Sequence, residues 1–333
     1  MIDSAKVTAW YRDNARDLPW RRPGTTPWGI LLSEVMSHQT PVARVAPIWD
    51  EWIARWPTPA DLAAAPTDAV LRAWGTLGYP RRALRLKDCA QTLIDAHSGA
   101  VPSSVDSLLA LPGIGDYTAR AVAAFAYGAA VPVVDTNVRR VYARAVLGRP
   151  VARPQKAELA WVAELLPSGD ADVASPAGAA ASPASAAASP ASAGAVSADA
   201  AAASAASPAP DAAADSEAAV FSAGLMELGA LVCTASSPAC GECPLRDDCA
   251  WLAAGSPAPT ADELARRKVQ KFEGTDRQVR GKIMKVLREA DAPVPQSAID
   301  VVWPDDAQRS RALYSLLEDG LAAQDADGRF RLP

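Results

Sequence analysis

Apolar residues recur at helical spacing along most of the chain. The stretches 28–36, 69–77, 83–94, 105–111, 118–127, 137–147, 157–166 and 217–232 bring hydrophobic side chains back every three or four positions, the period of one helix face. Strand-like alternation is scarce before residue 320. Near the end, "RGKIMKVLREA", "PQSAIDVVW", "DAQRSRALYSLLEDG" and "LAAQDADGRFRLP" read as three helices and a hairpin turned at Asp327 and Gly328. The pattern predicts an all-α protein with a small winged-helix-like module at 275–333. That shape is often used on DNA; a protein–protein module of the same shape is the alternative.

One segment breaks the pattern. Residues 168–215 are almost wholly Ala, Ser, Pro, Gly and Asp, with near-repeats such as "ASPASAAASPASAG". Such a composition cannot build a core and predicts disorder. The segment holds Asp170, Asp172, Asp199, Asp211 and Asp215 and no Lys or Arg, so leaving it out takes the formal charge from −5 to zero. A neutral remainder neither favours nor excludes a polyanionic partner, and local basic groups decide. These are "RRKVQK" at 266–271 with Arg277, Arg280, Lys282 and Lys285; Arg81, Arg82, Arg85 and Lys87; and Arg139, Arg140 and Arg144. Taken singly, each reads as a solvated helix face. The 333 residues allow about two domains. The apolar runs are too short to span a bilayer, and the first residues lack the apolar stretch of a secretion signal. A cytoplasmic protein is expected.

Two motifs carry chemistry. "LPGIGDYT" at 111–118 sets Gly113 and Gly115 between two helical segments. A dinucleotide cradle would need a strand before its glycines, whereas a helix–hairpin–helix presents backbone N–H groups to one phosphate of a nucleic acid. An ordinary helix–helix turn fits the same residues. The second motif is Cys233, Cys240, Cys243 and Cys249, spaced C-x6-C-x2-C-x5-C, with Cys89 apart as a small buried hydrophobe. In a cytosolic chain this density points to metal over disulfides. Structural zinc usually uses two close pairs; four thiolates in one loop suit a [4Fe–4S] cluster, although spacing alone does not separate iron from zinc.

A helix–hairpin–helix, then "VVDTNVRRV", then this cysteine spacing resembles the endonuclease III superfamily of DNA glycosylases. "LPWR" at 18–21, "LLSEVMSHQT" at 31–40, "LGYPRRA" at 77–83 and "LMELGALVC" at 225–233 are similar to its adenine DNA glycosylase branch. The resemblance covers about 1–166 and 217–252. It implies removal of adenine mispaired with 8-oxoguanine or guanine in double-stranded DNA, by a monomer in the cytoplasm associated with the nucleoid.

The residues bear on that chemistry independently. Cleaving a base–sugar bond needs a proton for the leaving base and negative charge near an oxocarbenium-like sugar, tasks suited to two carboxylates in different settings. Glu34 follows Ile30 and Leu31 and precedes Val35 and Met36; apolar surroundings raise a carboxyl pKa and suit a general acid. Asp135 follows "AAVPVV" and opens a helix, so by itself it reads as an N-cap. The resemblance gives Glu34 the protonation of adenine, Asp135 the stabilisation of the sugar cation, and Asn137 the place beside it. It gives Tyr117 a hydroxyl that supports Asp135. No lysine lies between Lys87 and Lys156, so a Schiff base and strand cleavage are not expected. Gln39 and Tyr79 match residues wedged into the duplex, and Arg21 matches one lining the adenine pocket. His38 stands where relatives usually carry Gln and would add pH dependence near neutrality.

These readings give a two-lobed enzyme. A six-helix lobe spans 26–131 and carries the hairpin. A cluster lobe combines 1–25 with 132–252, a basic linker covers 253–274, and the substrate lies between the lobes. The resemblance also implies a Nudix-like C-terminal domain in many relatives, which the 275–333 pattern does not match. The rival readings are a glycosylase for thymine or uracil mismatches and a non-catalytic iron–sulfur DNA-binding protein.

Overall fold

The computed structural model describes residues 2–150, 154–167, 216–261, 263 and 272–333. The expected disorder of 168–215 and the basic run 266–271 lie outside these residues. The described chain is almost entirely helical, as the apolar spacing predicts, and no helix among them is long and apolar enough to cross a membrane.

Capping residues set where the helices begin. α1 (Ser4–Asn14) starts under the Asp3 carboxylate, which accepts from the amides of Ala5 and Lys6. α2 (Pro27–Ser37) starts with Thr26, whose hydroxyl accepts from Gly29 N, and with proline at its first position. α3 (Val42–Arg55) follows, then α4 (Pro59–Ala64) behind a Thr58–Asp61 capping box, and α5 (Thr67–Trp74). α6 (Arg81–His97), α7 (Val105–Leu109) and α8 (Asp116–Tyr127) complete this part. The stretch 26–131 thus holds one more helix than the six expected. α3 is hidden from the apolar-spacing reading because Pro47 lies inside it and proline ordinarily breaks a helix.

Helix α9 (Thr136–Ala145) is capped by Asp135, and α10 (Glu158–Ala163) and α11 (Glu217–Leu231) follow. After a short 3-10 turn at Cys240–Glu242 comes α12 (Ala250–Ala253). The last part has α13 (Asp276–Glu289), α14 (Gln296–Asp300), α15 (Asp306–Glu318) and the antiparallel pair β1 (Ala323–Gln324) and β2 (Phe330–Arg331). A further bridge joins Val294 to Phe330. This is the helix–helix–helix–hairpin order expected of a winged-helix-like module.

Two main apolar cores result. One gathers α2 to α8, including Leu31, Trp52, Trp74 and Leu93. The other gathers Val7 of α1, Val138 and Val141 of α9, and Phe221, Leu225 and Leu228 of α11, with Leu245 from the cysteine loop. Leu18 and Trp20 pack with the first core although α1 packs with the second, so the "LPWR" strap crosses between them. The apolar face of α13 (Val279, Ile283, Met284, Leu287) joins the first core. The Arg72 guanidinium on α5 reinforces that join by donating to the carbonyls of Arg288 and Ala290.

Candidate active site

Glu34 sits two-thirds of the way along α2, a helix buried on nearly every side. Gly29 permits that depth: its carbonyl accepts from Trp49 Nε1 at 2.8 Å, and a Cβ there would lie 3.1 Å from the same indole ring. The Glu34 side chain is half-buried and faces the start of α8. Burial pushes its carboxyl up to about 7; the Tyr117 hydroxyl, which donates to Oε2 at 3.0 Å, and Arg21 pull it down, and Asp135 adds to the rise. A carboxyl at that value is an acid poised at neutral pH.

Tyr117 is the second residue of α8, immediately after the hairpin. Its hydroxyl contacts Glu34 instead of the expected Asp135. Both Asp135 oxygens are engaged by the start of its own helix. Asp135 Oδ1 accepts from the amides of Asn137 (2.8 Å) and Val138 (2.7 Å), and Oδ2 from Asn137 Nδ2 (2.7 Å). Asp135 is therefore an N-cap and also a held carboxylate aimed at the site. Burial raises its pKa, and the bonds from Val138 and Asn137 and the charge of Arg140 oppose the rise. Its charge is felt at both Glu34 and Tyr117, which puts the two carboxylates in one half-buried cleft.

Asn137 is the hinge between this cleft and the cysteine loop. Its Oδ1 accepts from Arg140 Nη2 at 2.7 Å, and Arg140 Nε donates to the carbonyl of Cys233 at 2.6 Å. α11 passes so close that a Cβ on Gly229 would lie 2.6 Å from Asn137 Cβ; only glycine allows that approach.

Arg21 is held by a buried carboxylate. Its Nη2 donates to Glu227 Oε2 at 3.0 Å, and its guanidinium lies 5.4 Å over the Tyr11 ring. Arg16 makes bidentate bonds of 2.6 and 2.8 Å to the same carboxylate. Glu227 is only 1% exposed. Burial alone would raise its pKa, but the bonds from Arg16 and Arg21 overcome this and hold it at about 2. Sequence reasoning missed Glu227 and Arg16. The available signal was a lone acid inside the apolar run "AGLMELGALV", since a buried carboxylate demands cationic partners.

His38 closes the end of α2. Its Nε2 lies 3.0 Å from Thr118 Oγ1, and its ring lies 6.1 Å from that of Tyr117. Burial, and then the charge of Arg82, lowers its pKa. Both effects act against protonation of the imidazole. Gln39 and Tyr79 occupy adjoining turns, both with left-handed backbone (φ +55° and +48°). Arg82, missed as a site residue, joins those turns. It donates to the carbonyls of Val35, Met36, His38, Leu77 and Gly78 and to Thr40 Oγ1.

The hairpin is anchored by buried Leu111 and Ile114, leaving Gly113 and Gly115 exposed. Gly113 has φ +78° and backs onto Arg85. α8 has no side-chain cap, which leaves its first-turn amides without the side-chain acceptor that starts α1, α2 and α9.

Cys233, Cys240, Cys243 and Cys249 are all unpaired and line one small cavity with Arg144 and Trp251. Arg144 Nη1 lies 3.4 Å from Cys233 Sγ and donates to the carbonyl of Thr234 at 2.7 Å; burial pushes the Cys233 thiol up, and Arg144 opposes that rise. Among the described residues no three such donors close on a single ion. A four-iron cluster takes one thiolate per iron and spreads its ligands around a larger body, so the four sulfurs fit it.

Residues 32–164 match the HhH-GPD superfamily of base excision DNA repair proteins, and 233–249 match the iron–sulfur binding domain of endonuclease III. The chain is 50% identical to the adenine DNA glycosylase of Mycolicibacterium smegmatis, over 99% of this chain and 96% of that one. It is 32% identical to the human adenine DNA glycosylase, over 74% of this chain and 40% of that protein. A thermostable thymine-DNA glycosylase shares the fold, with a TM-score of 0.57 and 23% identity over 75% of this chain and 95% of that one. The chain belongs to the adenine DNA glycosylase family, DNA repair enzymes that hydrolyse an N-glycosyl bond and carry a [4Fe–4S] cluster.

Proposed function

We propose that the protein removes adenine mispaired with 8-oxoguanine or guanine from duplex DNA, by hydrolysis and without cutting the strand. The observation that carries this reading is the pair of carboxylates in one cleft with different surroundings: burial raises both, Glu34 to about 7, while three hydrogen bonds oppose the rise at Asp135. The target nucleotide leaves the stack to reach them. Glu34 gives its proton to the departing base, and Tyr117 fixes the orientation of the acid. The Asp135 carboxylate, oriented by Asn137, faces the positive charge that develops on the sugar, and a water completes the hydrolysis. No lysine follows the hairpin, so no amine is present there to form a covalent sugar adduct.

The exposed amides at Gly113 and Gly115 hold a backbone phosphate. Gln39 and Tyr79 enter the gap left in the duplex, with His38 behind them. Arg21 stands at the base pocket with its charge shared with Glu227. The cluster, where bound, ties the Cys233–Cys249 loop together, and Arg140 and Arg144 fasten that loop to α9. All of these groups come from one chain, so a monomer acting on chromosomal DNA in the cytoplasm suffices. The test is single-turnover base release from duplexes with adenine opposite 8-oxoguanine, guanine, cytosine or thymine, read with and without alkali. Release opposite 8-oxoguanine and guanine, visible only after alkali, is expected. Strand cutting without alkali, or release of thymine or uracil in place of adenine, would overturn it.

A further inference from the structure

The C-terminal module reaches the wedge. Arg277, the second residue of α13, donates from Nη1 to the Tyr79 hydroxyl at 2.7 Å, and its guanidinium lies 5.8 Å from the Tyr79 ring centre. On its other side the same guanidinium lies 5.3 Å from the ring of Phe272. Tyr79 and Phe272 are 42% and 53% exposed, so this aromatic–cation–aromatic stack stands at the surface. Arg82 lies 5.9 Å from the Tyr79 ring, so two guanidiniums from two parts of the fold hold one tyrosine.

The placement of Arg277 is not incidental to the docking of its helix. The apolar face of α13 shares the first core, Arg72 grips its C-terminal carbonyls, and Arg81 pairs with Asp319 at 3.2 Å. These ties fix α13 against α5 and α6 and bring its first turn to the Tyr79 turn. A cation in the first turn of a helix opposes the helix dipole, and here it is directed onto an aromatic ring and a hydroxyl. The neighbouring basic residues do not share this role. Arg280 pairs with Asp319 at 2.6 Å, Lys282 lies 4.7 Å from the Trp303 ring, and Lys285 pairs with Glu289 at 3.2 Å. The basic cluster on α13, which in the sequence looks like one phosphate-binding patch, thus resolves into internal contacts and one cation on the wedge.

We propose that Arg277 is a positioning residue for Tyr79, so that the C-terminal module sets how strictly the enzyme reads the base opposite the target adenine. The inference rests on Tyr79 acting as the wedge in the function proposed above. A ring fixed in direction before DNA arrives accepts one geometry of the neighbouring base pair, whereas a free ring adapts to several. The module then acts on discrimination without contacting the oxidised base itself.

The test uses the full chain with Arg277→Ala, Arg277→Lys, Tyr79→Phe and the Arg277→Ala/Tyr79→Phe double variant, each checked for an unchanged melting temperature. Two ratios are measured for 8-oxoguanine over guanine opposite adenine: the single-turnover release rate and the duplex affinity. Salt dependence of binding is measured alongside. Each single change is expected to lower the ratios about five- to tenfold, as loss of one hydrogen bond of ordinary net strength implies. The double variant should fall no further than the worse single, because the two side chains act as one unit. Lysine keeps the charge but not the planar stack, so it should keep the salt slope and not restore the ratios. Unchanged ratios in Arg277→Ala, losses that multiply in the double variant, or full rescue by lysine would overturn the inference. Absence of adenine release by the unmodified protein would instead remove the proposed function, while the affinity ratios still report on Arg277.

Discussion

Replacing Tyr117 with phenylalanine isolates what the hydroxyl does to Glu34, the proposed catalytic acid. The hydroxyl donates to Glu34 Oε2 at 3.0 Å and pulls down a carboxyl that burial has raised to about 7. A hydrogen bond to a charged group is worth about 1.5–3 kcal/mol, and about 1.4 kcal/mol corresponds to one pH unit of titration. Loss of the donor therefore moves the Glu34 titration upward by about one to two pH units. Glu34 works protonated, so activity is present below its pKa and falls as pH rises through it. The unmodified enzyme should lose adenine release above about pH 7, and the variant should hold its own plateau to about pH 8–9. At pH 8.5 the protonated fraction in the variant is on the order of tenfold higher, although its plateau is lower because a weaker acid transfers its proton less readily. The assay is single-turnover release across pH 5–9.5, scored as the position of the alkaline limb and not as absolute rate. An alkaline limb that stays in place or moves to lower pH would refute the reasoning, since every consequence of removing this donor pushes the same way.

Four further outcomes are expected. Glu34→Gln should cut the single-turnover rate about 10²- to 10⁴-fold while duplex affinity stays within tenfold, measured by titration of labelled DNA. Gly229→Ala should cost about 1–3 kcal/mol in chemical denaturation and depress release further, because its Cβ would meet Asn137 at 2.6 Å. Glu227, held at about 2 by Arg16 and Arg21, contributes stability that is fully present above its unfolded value near ~4.3 and lost as pH falls toward 2. Glu227→Gln should lose about 3 kcal/mol at pH 7 and flatten that acid slope. Cys240→Ser should lower iron below about four per chain and reduce the yield of folded protein together with activity, read by metal analysis and circular dichroism.

The helices were legible where apolar spacing and capping residues agree. Thr26-Pro27 before α2, Ser104 before α7 and Asp135 before α9 each announce a start that the structure uses. α3 was illegible because Pro47 suppresses the local signal while burial of Val45, Trp49 and Trp52 stabilises the helix from outside. The site was legible residue by residue but not as a network. Glu34 and Asp135 announce themselves through apolar flanks and a capping position, yet that Tyr117 contacts Glu34 emerges only when α2 and α8 pack together. Arg82 and Arg140 look in sequence like members of solvated basic clusters. Their roles exist only because turns distant in the chain bring carbonyls to them, 47 residues away for Arg82 and Val35 and 93 for Arg140 and Cys233. No window of sequence contains that information.

The left-handed turns at Gln39 and Tyr79 link stability to recognition. A non-glycine residue in that region costs about 1–2 kcal/mol, and two such residues side by side need an external restraint. Arg82 supplies it: one guanidinium satisfies carbonyls of both turns and the Thr40 hydroxyl between them. Burial is severe enough to pull even this guanidinium down to about 10, which leaves it fully charged at neutral pH. Because the same donor group serves both turns, neither can relax alone. A displacement of the Tyr79 turn would strand bonds that also hold the His38–Thr40 turn, and the reverse is equally true. Both wedge candidates are thus presented by one strained, charge-locked unit at the mouth of the cleft that holds Glu34. α2 itself ends in that unit, so the helix that buries Glu34 also leads into the strained Gln39 turn.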